Sequence, residues 1–191
     1  MIPVVNPIEE PAQFDAKCRK AGAAWLLANP NAKRPRGLWT TFNKDLRDGF
    51  SCRCGFQGIF LSSGTVDHFE SWSKNKNLAY EWSNFRFVEG WVNSSKNGKP
   101  TENIMDPFLV GEGWFEILLP SLQLGVSDHI PPEHRAKAES TLSILPIRDD
   151  ERAVQTRREW MKLYEDSDIT LTGLDKVFPL LAAAIRKRDG I

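Results

Sequence analysis

Four side chains between Gly64 and Lys99 have types and spacing that could do chemistry together: Asp67 and His68 side by side, then Asn84, then Asn93. A carboxylate and an amide oxygen are hard donors, suited to one divalent cation such as magnesium that keeps several waters in its shell. Asp67 and Asn93 are the candidates to hold it. If Asp67 ends a strand, His68 points off the opposite face. Its imidazole, with an unperturbed pKa near neutrality, can take a proton from a water attacking phosphorus. Asn84 joins His68 as a candidate catalytic-site residue, its amide suited to pinning a loop or to orienting the imidazole.

These residues need a strand, a loop and a helix to position them. Gly58 to Phe69 holds two short apolar runs, GIFLSS and TVDHF, around Ser-Ser-Gly. This pattern predicts a tight hairpin whose second strand ends on Asp67 and His68. After a polar excursion through Lys74, Asn75, Lys76 and Asn77, the residues Phe85, Val88 and Val92 recur at helical spacing, which predicts a helix from near Trp82. Hairpin, loop and helix would then bring Asp67 and Asn93 to one cation.

The stretch resembles the HNH nuclease motif, the ββα-metal fold, in an Asp-His, Asn, Asn form. Asp67-His68 stand at its first His position, Asn84 at the central Asn, and Asn93 at the last position, where the family has His or Asn. Ala79-Tyr80-Glu81-Trp82-Ser83-Asn84 is similar to the turn before the family's helix, and Asn93-Ser94-Ser95-Lys96 to its Asn-x-x-Lys ending. In the flanks, Trp25-Leu26, Trp39 and Asp106-Pro107 are similar to bacterial HNH-containing proteins of this length. The resemblance implies hydrolysis of phosphodiester bonds, in DNA rather than RNA, with magnesium or manganese held by Asp67 and Asn93 and with His68 as general base.

One departure stands out. The family often holds a structural zinc with two Cys-x-x-Cys pairs, whereas Glu89 and Val92 occupy the second pair's positions. Cys52-Arg53-Cys54, preceded by Ser51, breaks the first. A tetrahedral zinc needs four ligands, so no structural zinc is expected, and apolar packing by Phe85, Trp91 and Val92 is expected in its place. An alternative of another class is a catalytically inactive HNH scaffold that binds nucleic acid or a protein. A third is a nuclease subunit of a defence complex beside an ATPase partner.

Composition sets a condition on nucleic-acid binding. The chain of 191 residues carries 25 basic and 25 acidic residues. Duplex affinity comes mostly from phosphate neutralisation and released counterions, so a neutral chain needs its basic residues on one face. Lys74, Lys76, Arg86, Lys96 and Lys99 are candidates within the motif, and Lys33, Arg34 and Arg36 before it. Apolar and charged contents of 41% and 26% are ordinary for a soluble protein. No apolar run approaches a membrane span, and the start, MIPVVNPIEEP, lacks the pattern of a signal peptide. A cytoplasmic location without membrane contact is therefore expected. Three cysteines fit reduced thiols, with Cys18 in the core and Cys52 and Cys54 structural at the start of the first strand.

The expected architecture is α+β, one domain with an HNH-like ββα-metal core over 50–110 and mainly helical flanks over 1–49 and 111–191. Phe14, Cys18, Ala21 and Trp25 predict a helix over Ala12–Ala28, and a second is expected over Leu38–Phe50. Trp114–Leu119 reads as a strand turned at Pro120-Ser121 into Leu122–Val126. Further helices are expected after Pro131-Pro132, from Asp149-Asp150 through Tyr164, and over Leu174–Arg188 with a kink at Pro179. Arg152, Arg157, Arg158 and Lys162 read as a solvated face, and His129 and His134 as surface or capping residues. Gly111-Glu112-Gly113 carries no cofactor signature, although Asp106 or Glu112 could add a carboxylate near the metal.

Overall fold

Phe14 and Cys18 are both fully buried, and the spacing that buries them is four residues. The computed structural model, which describes residues 1–191, has a π-helical turn over Asp15–Lys20 running into α1, Ala21–Ala28. The wider turn carries the inward face through Phe14, Cys18 and Gly22, and leaves Ala21, expected inward at ordinary helical spacing, exposed. Gly22 lies so close to Tyr80 that a Cβ there would stand 2.3 Å from the ring. Bare backbone is what lets α1 reach that aromatic. A 3-10 turn over Leu38–Phe42 then leads into α2, Asn43–Gly49.

Strand β1, Thr65–His68, pairs antiparallel with β2, Phe85–Val88, placing Asp67 opposite Arg86 and His68 opposite Phe85. This overturns the tight hairpin expected over Gly58–Phe69. Its first run makes only a single bridge, between Arg53 and Phe60. It also overturns the helix expected from Trp82, since a 3-10 turn over Trp82–Asn84 enters β2, and the helix that follows, α3, is Gly90–Lys96. The physical reason is burial on both faces. Phe85 and Phe87 pack with Phe14, Phe42 and Leu46, while Val88 packs with Val92 in the larger apolar cluster. A strand sandwiched in this way loses its polar alternation, and its apolar residues then mimic a helix face. Arg86 on β2 is buried as well, forked onto Asp106 through Nε to Oδ1 at 2.7 Å and Nη2 to Oδ2 at 2.6 Å.

The C-terminal half follows its sequence pattern closely. β3, Phe115–Leu118, and β4, Gln123–Val126, form the expected hairpin. Helix α4 is Pro132–Ile144, and α5, Glu151–Glu165, is capped by Asp150, whose side chain accepts from the Arg152 amide. The single kinked helix expected near the end is two helices, α6, Leu171–Val177, and α7, Pro179–Asp189. Pro179 has no N–H to continue the ladder, and Phe178 leaves the helical region at φ −147°. Arg157 departs from the solvated face expected for it. It is 2% exposed, and its guanidinium donates to the carbonyls of Leu122, Arg148 and Ile147. No helix is long and apolar enough to cross a membrane.

Gly22→Ala should force the Tyr80 ring aside. Overpacking of this kind lowers stability by about 1–3 kcal/mol, read as a fall in the urea midpoint. An unchanged midpoint would mean that the ring gives way freely.

Candidate active site

His68 ends β1, and its ring is fixed from three directions. Nε2 lies 2.8 Å from the Ala79 carbonyl oxygen. Because a carbonyl only accepts, Nε2 carries the hydrogen and Nδ1 keeps its lone pair. Trp39 and Phe85 meet the ring edge-on, with centroids at 4.6 and 5.0 Å and interplanar angles of 85° and 84°. Burial pushes the imidazole pKa below its ordinary value, the Ala79 bond opposes that shift, and the charge on Lys96 adds to it. The neutral ring is thus the form held at neutral pH.

Asn84, at the end of the loop between the strands, is buried and fully engaged. Its Oδ1 accepts from the Glu70 amide at 2.8 Å, and its Nδ2 donates to the carbonyls of Glu70 and Leu78 at 2.9 and 3.1 Å. It therefore pins the loop. It reaches His68 only through the backbone, since Leu78, which it holds, precedes Ala79, which holds the imidazole. Asn84 is a positioning residue.

Asp67 is 4% exposed and faces away from the ring of its neighbour. Its Oδ1 accepts from Lys96 Nζ at 3.1 Å, and the same ammonium donates to the carbonyls of His68 and Phe69 at 3.0 and 2.8 Å. Three oxygens satisfy its three hydrogens. Burial raises the Asp67 carboxyl above the usual range, against the lowering pull of Lys96. Its Oδ2 is sealed from solvent without a partner. Asn93 on α3 donates its amide hydrogens to Thr65 Oγ1 and the Val66 carbonyl at 3.1 and 3.3 Å, and so straps the helix onto β1. Its Oδ1 accepts no hydrogen bond from the protein.

Asp67, His68 and Asn93 all line one cavity of about 160 Å³. The orphaned carboxylate oxygen and the free amide oxygen are hard donors of the type a divalent ion takes, although no group of three or more His, Cys, Asp or Glu side chains gathers there. Lys96 already offsets the carboxylate charge, and an ion would have to displace protein atoms to reach the sealed Oδ2. Asp106, weighed as a further carboxylate for that ion, is engaged by Arg86.

A larger cleft of about 530 Å³ opens beside it, lined by His68 and Asn93 together with Lys33, Arg34, Trp39 and Trp72. No carboxylate is among its lining residues. The two charged residues of the cleft, Lys33 and Arg34, are both basic. The candidates for a basic face divide accordingly, because Arg86 and Lys96 are buried structural cations, whereas Lys33 and Arg34 face the cleft. Trp39 and the Ala79 carbonyl are site residues that the sequence reading did not assign. A Trp three residues after a basic run gives no signal of its own that it will meet a histidine far along the chain.

Phe85 packs in the smaller apolar cluster, and Trp91 packs against the larger. Val92 and Cys54 meet in the larger cluster, and Gln57 Nε2 donates to Glu89 Oε2 at 2.6 Å. Burial raises the Cys54 thiol pKa, while backbone amides of Glu89, Gln57 and Phe56 aimed at its sulfur oppose that rise. Of the remaining histidines, His134 stacks on Trp114 at 4.7 Å, outside both cavities. No protein-family model matches the chain, and a search of curated proteins finds no match.

Lys96→Ala should strand a buried carboxylate and lower stability by about 3–5 kcal/mol, measured by urea unfolding. Adding Asp67→Ala to it should cost less than the sum of the two single changes. A Lys96→Ala loss under about 1 kcal/mol would show that the pair is not the joint described.

Proposed function

We propose that this chain is a metal-dependent endonuclease of the HNH type, acting in the cytoplasm on phosphodiester bonds of nucleic acid, DNA rather than RNA. The observation that carries this reading is an imidazole held in one tautomer, Nε2–H on the Ala79 carbonyl, at the wall of a cleft that bears cations and no carboxylate. His68 Nδ1 takes the proton of the attacking water. As the ring gains charge, its bond to the Ala79 carbonyl strengthens and holds the imidazolium in place. Lys33 and Arg34 draw the phosphate into the cleft and offset its charge. Asn84 keeps the Leu78–Ala79 backbone where the imidazole needs it. A magnesium or manganese ion, when held by Asp67 and Asn93, supplies stabilisation of the charge that develops on the phosphate and leaving oxygens.

A second reading, nucleic-acid binding without cleavage, is favoured by the grip of Lys96 on Asp67, which reduces the pull of that carboxylate on a cation. Cleavage of a labelled single strand and nicking of a plasmid, each in magnesium or manganese, separate the two, with Asp67→Ala as the blank and its folding monitored. The same absence of cleavage on both substrates in both proteins would favour binding alone.

His68→Ala should keep a cooperative unfolding curve at a lower urea midpoint, because the ring's packing and its bond to Ala79 are lost, and should lower cleavage by at least about a hundredfold, the usual loss for a general base. Equal rates would remove His68 from the chemistry. Because the folded imidazole pKa is depressed and the neutral form is the active one, the base stays available as pH falls. The acid limb of kcat/KM should therefore lie below the ordinary imidazole value of about 6.5. A limb at or above that value would contradict the assignment.

A further inference from the structure

We infer that the cleft takes nucleic acid as an unpaired strand, with Lys33 and Arg34 on its phosphates and Trp72 stacked on a base; this rests on the hydrolytic reading of the same cleft. Trp39, Trp72 and Pro35 are the apolar side chains lining it, and only the two indoles offer a flat aromatic face besides His68. The Trp39 ring is already engaged, edge-on with His68 and tilted against Tyr80 and Phe85. Trp72 has no aromatic partner, and it is half-buried, resting on the smaller apolar cluster and lining both the cleft and the smaller cavity beside it. A flat apolar face in a polar, cationic cleft suits a group that is itself flat, with a charged backbone attached.

Duplex nucleic acid does not offer that group. Paired bases are covered above and below by their neighbours and present only their edges in the grooves. An unstacked base offers its whole face, and base–aromatic stacking beside a cationic track is how single strands are held. The remaining polar lining, Ser71, Ser73 and Asn97 among it, is uncharged and repels no phosphate.

The loop that carries the two cations is fixed in relation to the base. Pro35 is buried, and the Tyr80 hydroxyl donates to the Arg36 carbonyl at 3.0 Å. Tyr80 follows Ala79, whose carbonyl orients His68. One pair of adjacent residues therefore references both the phosphate grip and the imidazole, and a strand held by the loop presents its phosphate in a set relation to Nδ1.

The test uses the full chain with His68→Ala as background, so that no cleavage intervenes, and fluorescence anisotropy with a labelled single-stranded DNA and the duplex of the same sequence. The single strand should bind at least about tenfold tighter, and Trp72→Ala should lose about tenfold or more of that affinity, as one stack is worth. Lys33→Ala/Arg34→Ala should lower the slope of log K against log salt by about 1.4, two single-strand phosphate contacts at about 0.7 each. Arg158→Ala, on α5 outside the cleft, should bind as the parent does. Equal affinity for duplex and single strand, or an unchanged slope, would overturn the inference. If these effects hold while the His68-bearing protein cuts nothing, the grip stands and hydrolysis falls. If that protein cuts but the grip variants bind normally, hydrolysis stands and the grip falls.

Discussion

An ammonium group with almost no water around it, Lys96 Nζ, holds the centre of this protein together. It reaches from the last turn of α3 to the Asp67 carboxylate and to the backbone carbonyls of His68 and Phe69. Helix, strand end and the start of the loop are thereby fixed at one point. A buried charge is tolerable only with such complete hydrogen bonding. That requirement makes the joint specific, because a shift of α3 along β1 would leave the ammonium short of partners. The direction in which β1 releases His68 follows from it.

The second constraint is the short backbone run Leu78-Ala79-Tyr80. Asn84 holds its first carbonyl, His68 donates to the second, and the Tyr80 hydroxyl reaches across to the basic loop at Arg36. Gly22 permits this, since α1 can approach the Tyr80 ring only without a Cβ. The N-terminal helices thus act as a backing for the site. Apolar packing sets the ring of Tyr80, and through it the placement of polar groups on both walls of the cleft.

Much of the scaffold was legible in the sequence, and the failures have a common cause. α5 buries one face and β3 alternates, so their periodicity is plain, and Pro at the start of α4 and Asp at the start of α5 mark those boundaries. β2 buries both faces, and its Phe85 and Val88 imitated a helical stripe. The partner of β1 lies beyond the whole 69–84 loop, a separation that local pattern cannot report. Asp67, His68 and Asn93 were legible as a group and do line one cavity, yet nothing local tells a carboxylate that its nearest cation will be Lys96. Arg157 and Arg86 show the same limit from the other side. Residue type says that a guanidinium is charged, and only the tertiary fold decides whether carbonyls or solvent surround it.

The bond between Tyr80 and Arg36 has a thermodynamic consequence. Surface loops that bind polyanions commonly sample many shapes and must be ordered by their ligand. Here Pro35 is already packed and the next carbonyl already anchored, so the loop's backbone is settled in advance. The entropy lost on association then falls on the incoming polymer rather than on the protein.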